Sequence, residues 1–129
     1  MTRWLPGLLR LWAPVVLYMA AIFYVSSLPQ APIPLGADKP WHMIAYLGFA
    51  VVIVRAVAGG LPRRVDGRIA GLAIAIAVTY AATDEVHQLS VPGRSADVAD
   101  WIADTAGALM GTAACWAWGI IAQTSRDEL

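Results

Sequence analysis

Charge is scarce in this chain. Only 14% of its residues are Asp, Glu, Lys or Arg, against 59% hydrophobic. A soluble domain needs a polar surface that this composition does not supply, so a membrane class leads. The 129 residues suffice for one domain and are too few for two ordinary ones. Cysteine is nearly absent. Cys115 stands alone in an apolar run, which excludes an internal disulfide and reads as a small core residue. The formal net charge is zero, so bulk charge points to no polyanionic partner. There is no Gly-rich phosphate loop, nucleophile elbow, Cys-His metal cluster, tandem repeat or heptad. Nucleic acid is not expected as a partner, and the basic "LPRRVDGR" loop is more simply a topology determinant.

What the chain does have is four apolar segments, at 8–28, 41–58, 69–82 and 101–122. A spanning helix needs about 17–25 residues, and all four meet or approach that length. The expected fold is therefore all-α and integral to the membrane, one domain over 1–129 with helices near 8–28, 41–58, 69–88 and 98–122. The third segment is uncharged only over 69–83, which puts Asp84 and Glu85 near the membrane boundary. Pro14 should kink the first helix or mark a late start. That helix also has the basic-then-apolar order of a signal peptide. Its length, its aromatics, its proline and the lack of a small-residue cleavage site favour a spanning helix instead.

The basic residues set an orientation. Arg3, Arg10, Arg55, Arg63, Arg64, Arg68 and Arg126 fall at one end of such a bundle, and only Lys39 and Arg94 at the other. The positive-inside rule then puts both termini in the cytoplasm and the "SSLPQAPIPLGADKP" and "VPGRS" loops outside. The acids are skewed the other way. Asp38, Asp84, Glu85, Asp97, Asp100 and Asp104 belong to the outer end, a bias that insertion alone does not require.

These acids do not stand alone. Asp100 and Asp104 share a helix face, where like charges repel, and Asp104 lies a turn inside an apolar segment. Such a pair calls for a counter-cation, a shared proton or water. Ser95 is the expected N-cap of the fourth helix, with Asp97 in its first turn. Asp84 and Gln88 share a face of the third helix with His87 alongside, while Glu85 is turned toward another neighbour. His42 and Tyr46 share a face just after Asp38 and Lys39. The Pro-Gly turn should hold Arg94 near the helix ends it joins, as a salt-bridge partner of Asp84, Asp100 or Asp104 or as an anion-binding fork. Ser26, Ser27, Ser90 and Ser95 lie at the same end without an evident adjacent base.

The blocks "DKPWHMIAYLGF" and "YAATDEVHQLSVPGRSADVADWIADTAGALMG" resemble the VanZ-like family of small bacterial membrane proteins. The first block carries that family's Asp-Lys, His and Tyr as Asp38, Lys39, His42 and Tyr46. The second carries its Asp-Glu, Gln, Pro and Arg, and then its later acids and glycine, as Asp84, Glu85, Gln88, Pro92, Arg94, Asp100, Asp104 and Gly107. Where many members have Asn, this chain has Asp104, which adds a titratable group. The resemblance implies a multi-pass protein of the bacterial cytoplasmic membrane. It also implies a link to teicoplanin-type glycopeptide resistance, as for the founding members.

Two functions fit. In one, an anionic cell-envelope lipid is bound or modified at the outer leaflet, such as a lipid-linked wall precursor or an undecaprenyl carrier. Asp84, Glu85 and His42 would then be acid and base, with Lys39, Arg94, Gln88, Tyr46 and Asp38 binding substrate. Asp100 and Asp104 would orient the cations or hold a metal. Because acids outnumber bases here, a divalent cation would reverse the sign of the field that a phosphate meets. In the other, the polar groups form a structural network in a non-catalytic scaffold or partner-binding module. The Gly107 and Gly111 spacing suits close helix contact, within one chain or in a homo-oligomer.

Overall fold

The computed structural model describes residues 5–30 and 36–128. Arg3 and the middle of the first expected outer loop, 31–35, lie outside the described residues. Four helices account for nearly all of the rest: α1 (Leu5–Ser26), α2 (Asp38–Ala58), α3 (Gly67–Gln88) and α4 (Val98–Asp127). All four are long and apolar enough to cross a membrane. At about 1.5 Å per residue, the 21 or 22 residues of α1, α2 and α3 match a hydrocarbon core of about 30 Å, and the 30 of α4 overrun it.

Side chains are distributed as a bilayer demands. Leu9, Leu17, Val86 and Ile121 are exposed, each by more than 60%. In water such a surface would be a liability; against lipid it is the favoured one. The core is narrow and built on α2, where Tyr46, Phe49, Ala50, Ile53 and Val54 are almost wholly buried. Ala73, Ala77 and Ala81, spaced one turn apart on α3, are fully buried and let that helix approach closely. Tyr18, Tyr46 and Tyr80 pack their rings around Phe49 with centroids 5.4–5.6 Å away. Hydrogen bonds from ring groups to carbonyls tie the helices in pairs: Tyr18 to Ala45 at 2.7 Å, Tyr80 to Met19 at 2.6 Å and Trp101 to Val78 at 3.1 Å.

Glycine sets the α2–α4 distance. A Cβ on Gly107 would strike the Met43 carbonyl oxygen, and one on Gly111 the Leu47 carbonyl oxygen. The small-residue spacing is therefore used inside the chain. On the same helix, Gly119 presses against the Arg63 carbonyl in the 59–66 connection.

Several local expectations are corrected. α1 begins at Leu5 and continues through Pro14, so the proline does not mark a late start. The first turn of a helix lacks internal acceptors, and with Leu5 as its first residue Pro14 is well past that turn. α2 begins at Asp38, whose acid suits the positive end of the helix dipole. Asp97, not Ser95, is the N-cap of α4, accepting from the Ala99 N–H at 2.8 Å. At the other end of the bundle Asp66 caps α3, and Arg55 reaches the Arg10 carbonyl at the start of α1.

Candidate functional site

The C-terminal ends of α1 and α3 and the N-terminal ends of α2 and α4 meet at one end of the bundle. The polar groups there form two layers. In the upper one, here the rim, Lys39 is the hub. Its ammonium donates to Asp97 Oδ2 at 2.7 Å, to Asp38 Oδ2 at 3.3 Å and to Asp100. Asp97 also caps α4, and its backbone N–H donates to Glu85 Oε2 at 2.9 Å, closing the α3–α4 turn. Lys39 first, and then the Ala99 N–H, hold the Asp97 carboxyl below the usual carboxylate range.

The lower layer, the floor, is more poorly satisfied. His42 Nδ1 lies 2.8 Å from Asp104 Oδ1, and its Nε2 stands 3.6 Å from Asp100 and 3.7 Å from Asp38. Asp104 is only 1% exposed, Asp84 6% and Glu85 7%. Among the described residues, Asp84 Oδ1, Glu85 Oε1 and Asp104 Oδ2 make no hydrogen bond of good geometry, nor do the Tyr46 hydroxyl and Ser26 Oγ, although Ser26 Oγ lies beside the Asp84 carboxylate. A buried polar atom left unpaired costs about 1–3 kcal/mol, more if charged. That cost makes the cluster a candidate functional site.

Beside this floor lies a cavity of about 400 Å³ between α1, α2 and α3. Its walls are apolar: Tyr18, Ala21, Ile22, Val25, Trp41 and Ala45. Its polar groups are Ser26, His42, Tyr46, Asp84, Gln88 and Arg94. The Gln88 amide reaches Asp84 Oδ2 at 3.5 Å. Volume and lining fit a small-molecule or lipid-headgroup pocket, apolar with a few convergent polar groups.

The expected site residues therefore separate into groups. His42, Tyr46, Asp84, Gln88 and Arg94 reach the cavity, while Lys39, Asp38 and Asp100 form the rim. Glu85 is not in the cavity wall: its Oε2 accepts from the Asp97 N–H, and it lines a second hollow with Asp97 and Trp101. Arg94 departs from its expected role, for among the described residues it pairs with no carboxylate. Its Nε donates to the Leu28 carbonyl at 2.9 Å and its Nη2 to the Val25 carbonyl at 3.1 Å, so it caps the end of α1. The carbonyls of a helix end lack internal donors, and the Pro-Gly turn swings the guanidinium onto them.

His87 also turns away from Asp84. It stacks on Phe23 with centroids 4.3 Å apart, and its Nε2 lies 2.9 Å from Ser27 Oγ. Ser27 thus has a neighbouring imidazole, which a gap of 60 residues hides from sequence spacing. The hydroxyl has one proton and also lies 2.7 Å from the Phe23 carbonyl, so the contact ties α1 to α3.

Among the described residues, two sets of side chains could hold a metal ion, Asp38 with His42 and Asp100, and His42 with Glu85 and Asp104. In each the ligand atoms lie within 4.8 Å of one another.

Four apolar helices with a buried polar floor at one end define a small multi-pass membrane protein. Residues 16–121 match the VanZ/LLP1 family, and the chain belongs to that family. Neither the curated proteins nor the solved structures give a match.

Proposed function

We propose that the protein binds and chemically modifies an anionic cell-envelope lipid, or a lipid-linked wall precursor, at the outer face of a bacterial cytoplasmic membrane. One observation carries the reading: the apolar-walled cavity ends on Asp84, a buried carboxylate with an unpartnered oxygen. Apolar walls suit acyl or prenyl chains, and the polar groups suit a headgroup. Of the three residues expected to serve as acid and base, Asp84 alone both lines the cavity and keeps an oxygen without a partner. His42 lines it too, but its Nδ1 is engaged by Asp104, and Glu85 lies outside the wall. Asp84 is thus the proton-transfer group, and Arg94 at the cavity's edge meets the anionic headgroup. The outward placement rests on the skew of Arg residues to the opposite end. Glycopeptide resistance would follow where the altered lipid is a wall precursor.

The second reading, a non-catalytic scaffold, is favoured by the rim, where Lys39 is fully engaged by acids. Native mass spectrometry separates the two. The first reading expects a phosphate-bearing envelope lipid to travel with the wild type and to be lost in Ala21→Trp, which fills the cavity from α1. It also expects Asp84→Asn to retain that lipid without converting it. A wild type that carries no lipid supports the scaffold.

A further inference from the structure

The two candidate metal sets share His42 and differ in what already neutralises them. In the rim set, Lys39 donates to both Asp38 and Asp100, so an ammonium holds the place of a cation. In the floor set no such group intervenes. Asp104, 99% buried by its 1% exposure, keeps Oδ2 unpartnered, and Glu85, 7% exposed, keeps Oε1 unpartnered. Like charges this deep in a membrane chain need compensation, and among the described contacts the floor acids receive it only from His42, Gln88 and the Asp97 N–H, none of which reaches Asp104 Oδ2 or Glu85 Oε1.

We infer that His42, Glu85 and Asp104 form a site for one divalent transition cation, Zn²⁺ or Mn²⁺. One ligand comes from each of α2, α3 and α4, so the ion would also pin the three helix ends. The 2.8 Å between His42 Nδ1 and Asp104 Oδ1 is close to the edge of about 3.0 Å between adjacent ligands of a six-coordinate ion at about 2.1 Å, and would have to open to about 3.4 Å for a tetrahedral one. A mixed imidazole and carboxylate set favours these ions over Mg²⁺ and Ca²⁺, which prefer oxygen alone. Two carboxylates and a neutral imidazole balance the charge of a divalent ion. The outer shell is in place as well. Glu85 Oε2 is held by the Asp97 N–H, and the carboxylates of Asp100 and Asp38 stand near His42 Nε2, steering the ring proton to that nitrogen and leaving Nδ1 to ligate. Binding then releases any proton that Nδ1 shared with Asp104. In this arrangement His42 and Glu85 are ligands, and Asp84 remains the acid–base group.

The inference stands apart from the lipid reading, because it is tested on delipidated protein in detergent with the metal alone. Chelator-stripped wild type is dialysed against Zn²⁺ or Mn²⁺ and its metal content measured by mass spectrometry. The expectation is about one ion per chain, with affinity lowered at least about 100-fold in Asp104→Asn and Glu85→Gln and unchanged in Asp127→Asn. Helix content by circular dichroism accompanies each variant. Spin-echo spectroscopy of the Mn²⁺-loaded wild type, which needs no variant, should show modulation from an imidazole nitrogen. Stripped wild type that takes up neither ion, variants that are folded and bind as tightly as wild type, or a Mn²⁺ signal without imidazole coupling would each overturn the site.

Discussion

Rim and floor use the same residue types to opposite ends. On the rim, Asp38, Asp97 and Asp100 converge on one ammonium, and Asp97 also caps a helix. There the charges hold the fold together. On the floor, Asp84, Glu85 and Asp104 each keep an unpartnered oxygen among the described residues, and the floor costs stability. Composition does not separate the layers. Access to a cation does, and the difference makes the floor the candidate functional layer.

The largest effect expected is on chemistry. Asp84→Asn should lower lipid turnover at least about 100-fold, the span of one general acid–base group, while leaving stability equal to wild type or about 1 kcal/mol higher. Turnover assays with denaturation in mixed micelles read both, and a clear loss of stability would move Asp84 to the rim class. The converse change is Lys39→Met, which strands the buried Asp100 carboxylate and should destabilise by about 1–3 kcal/mol, discounted for the half-exposed ammonium. Adding Asp100→Leu should restore most of that loss in the same denaturation assay. Hydroxyls sharpen the contrast on a smaller scale. Tyr18→Phe gives up a bond to the Ala45 carbonyl and should cost about 1 kcal/mol, whereas Tyr46→Phe removes an unpartnered hydroxyl and should cost nothing.

The smallest effect is a pH limb. Asp97 titrates below the ordinary carboxylate value, so its contribution is complete above that value and is lost as pH falls through the lower, folded one. Thermal melting of wild type should therefore weaken below about pH 4, and Asp97→Asn should flatten that part of the profile.

The helices were readable because hydropathy is a property of runs, and each spanning run here is bounded by charge or proline. The concentration of acids at one end was readable because polar residues in so apolar a chain stand out. Partners were not, because they depend on how each helix is rotated. Arg94 shows the limit: spacing placed it near carboxylates, yet the tertiary turn gave it the bare carbonyls of α1. His87 lay on the face expected for Asp84 and met Phe23 and Ser27 instead. The split between Lys39-bound and unbound acids follows from which helix ends Lys39 can reach, which no local motif records.

Gly107 sits three residues past Asp104 and rests on the carbonyl of Met43, the residue after His42. The gap between imidazole and carboxylate is thus gauged by two bare backbones in contact, with no flexible side chain between them to take up slack. A single methyl group, about 1.5 Å of added bond, is of the same order as the whole margin between a 2.8 Å contact and no contact. The tolerance of this site is therefore held by a missing atom on one helix.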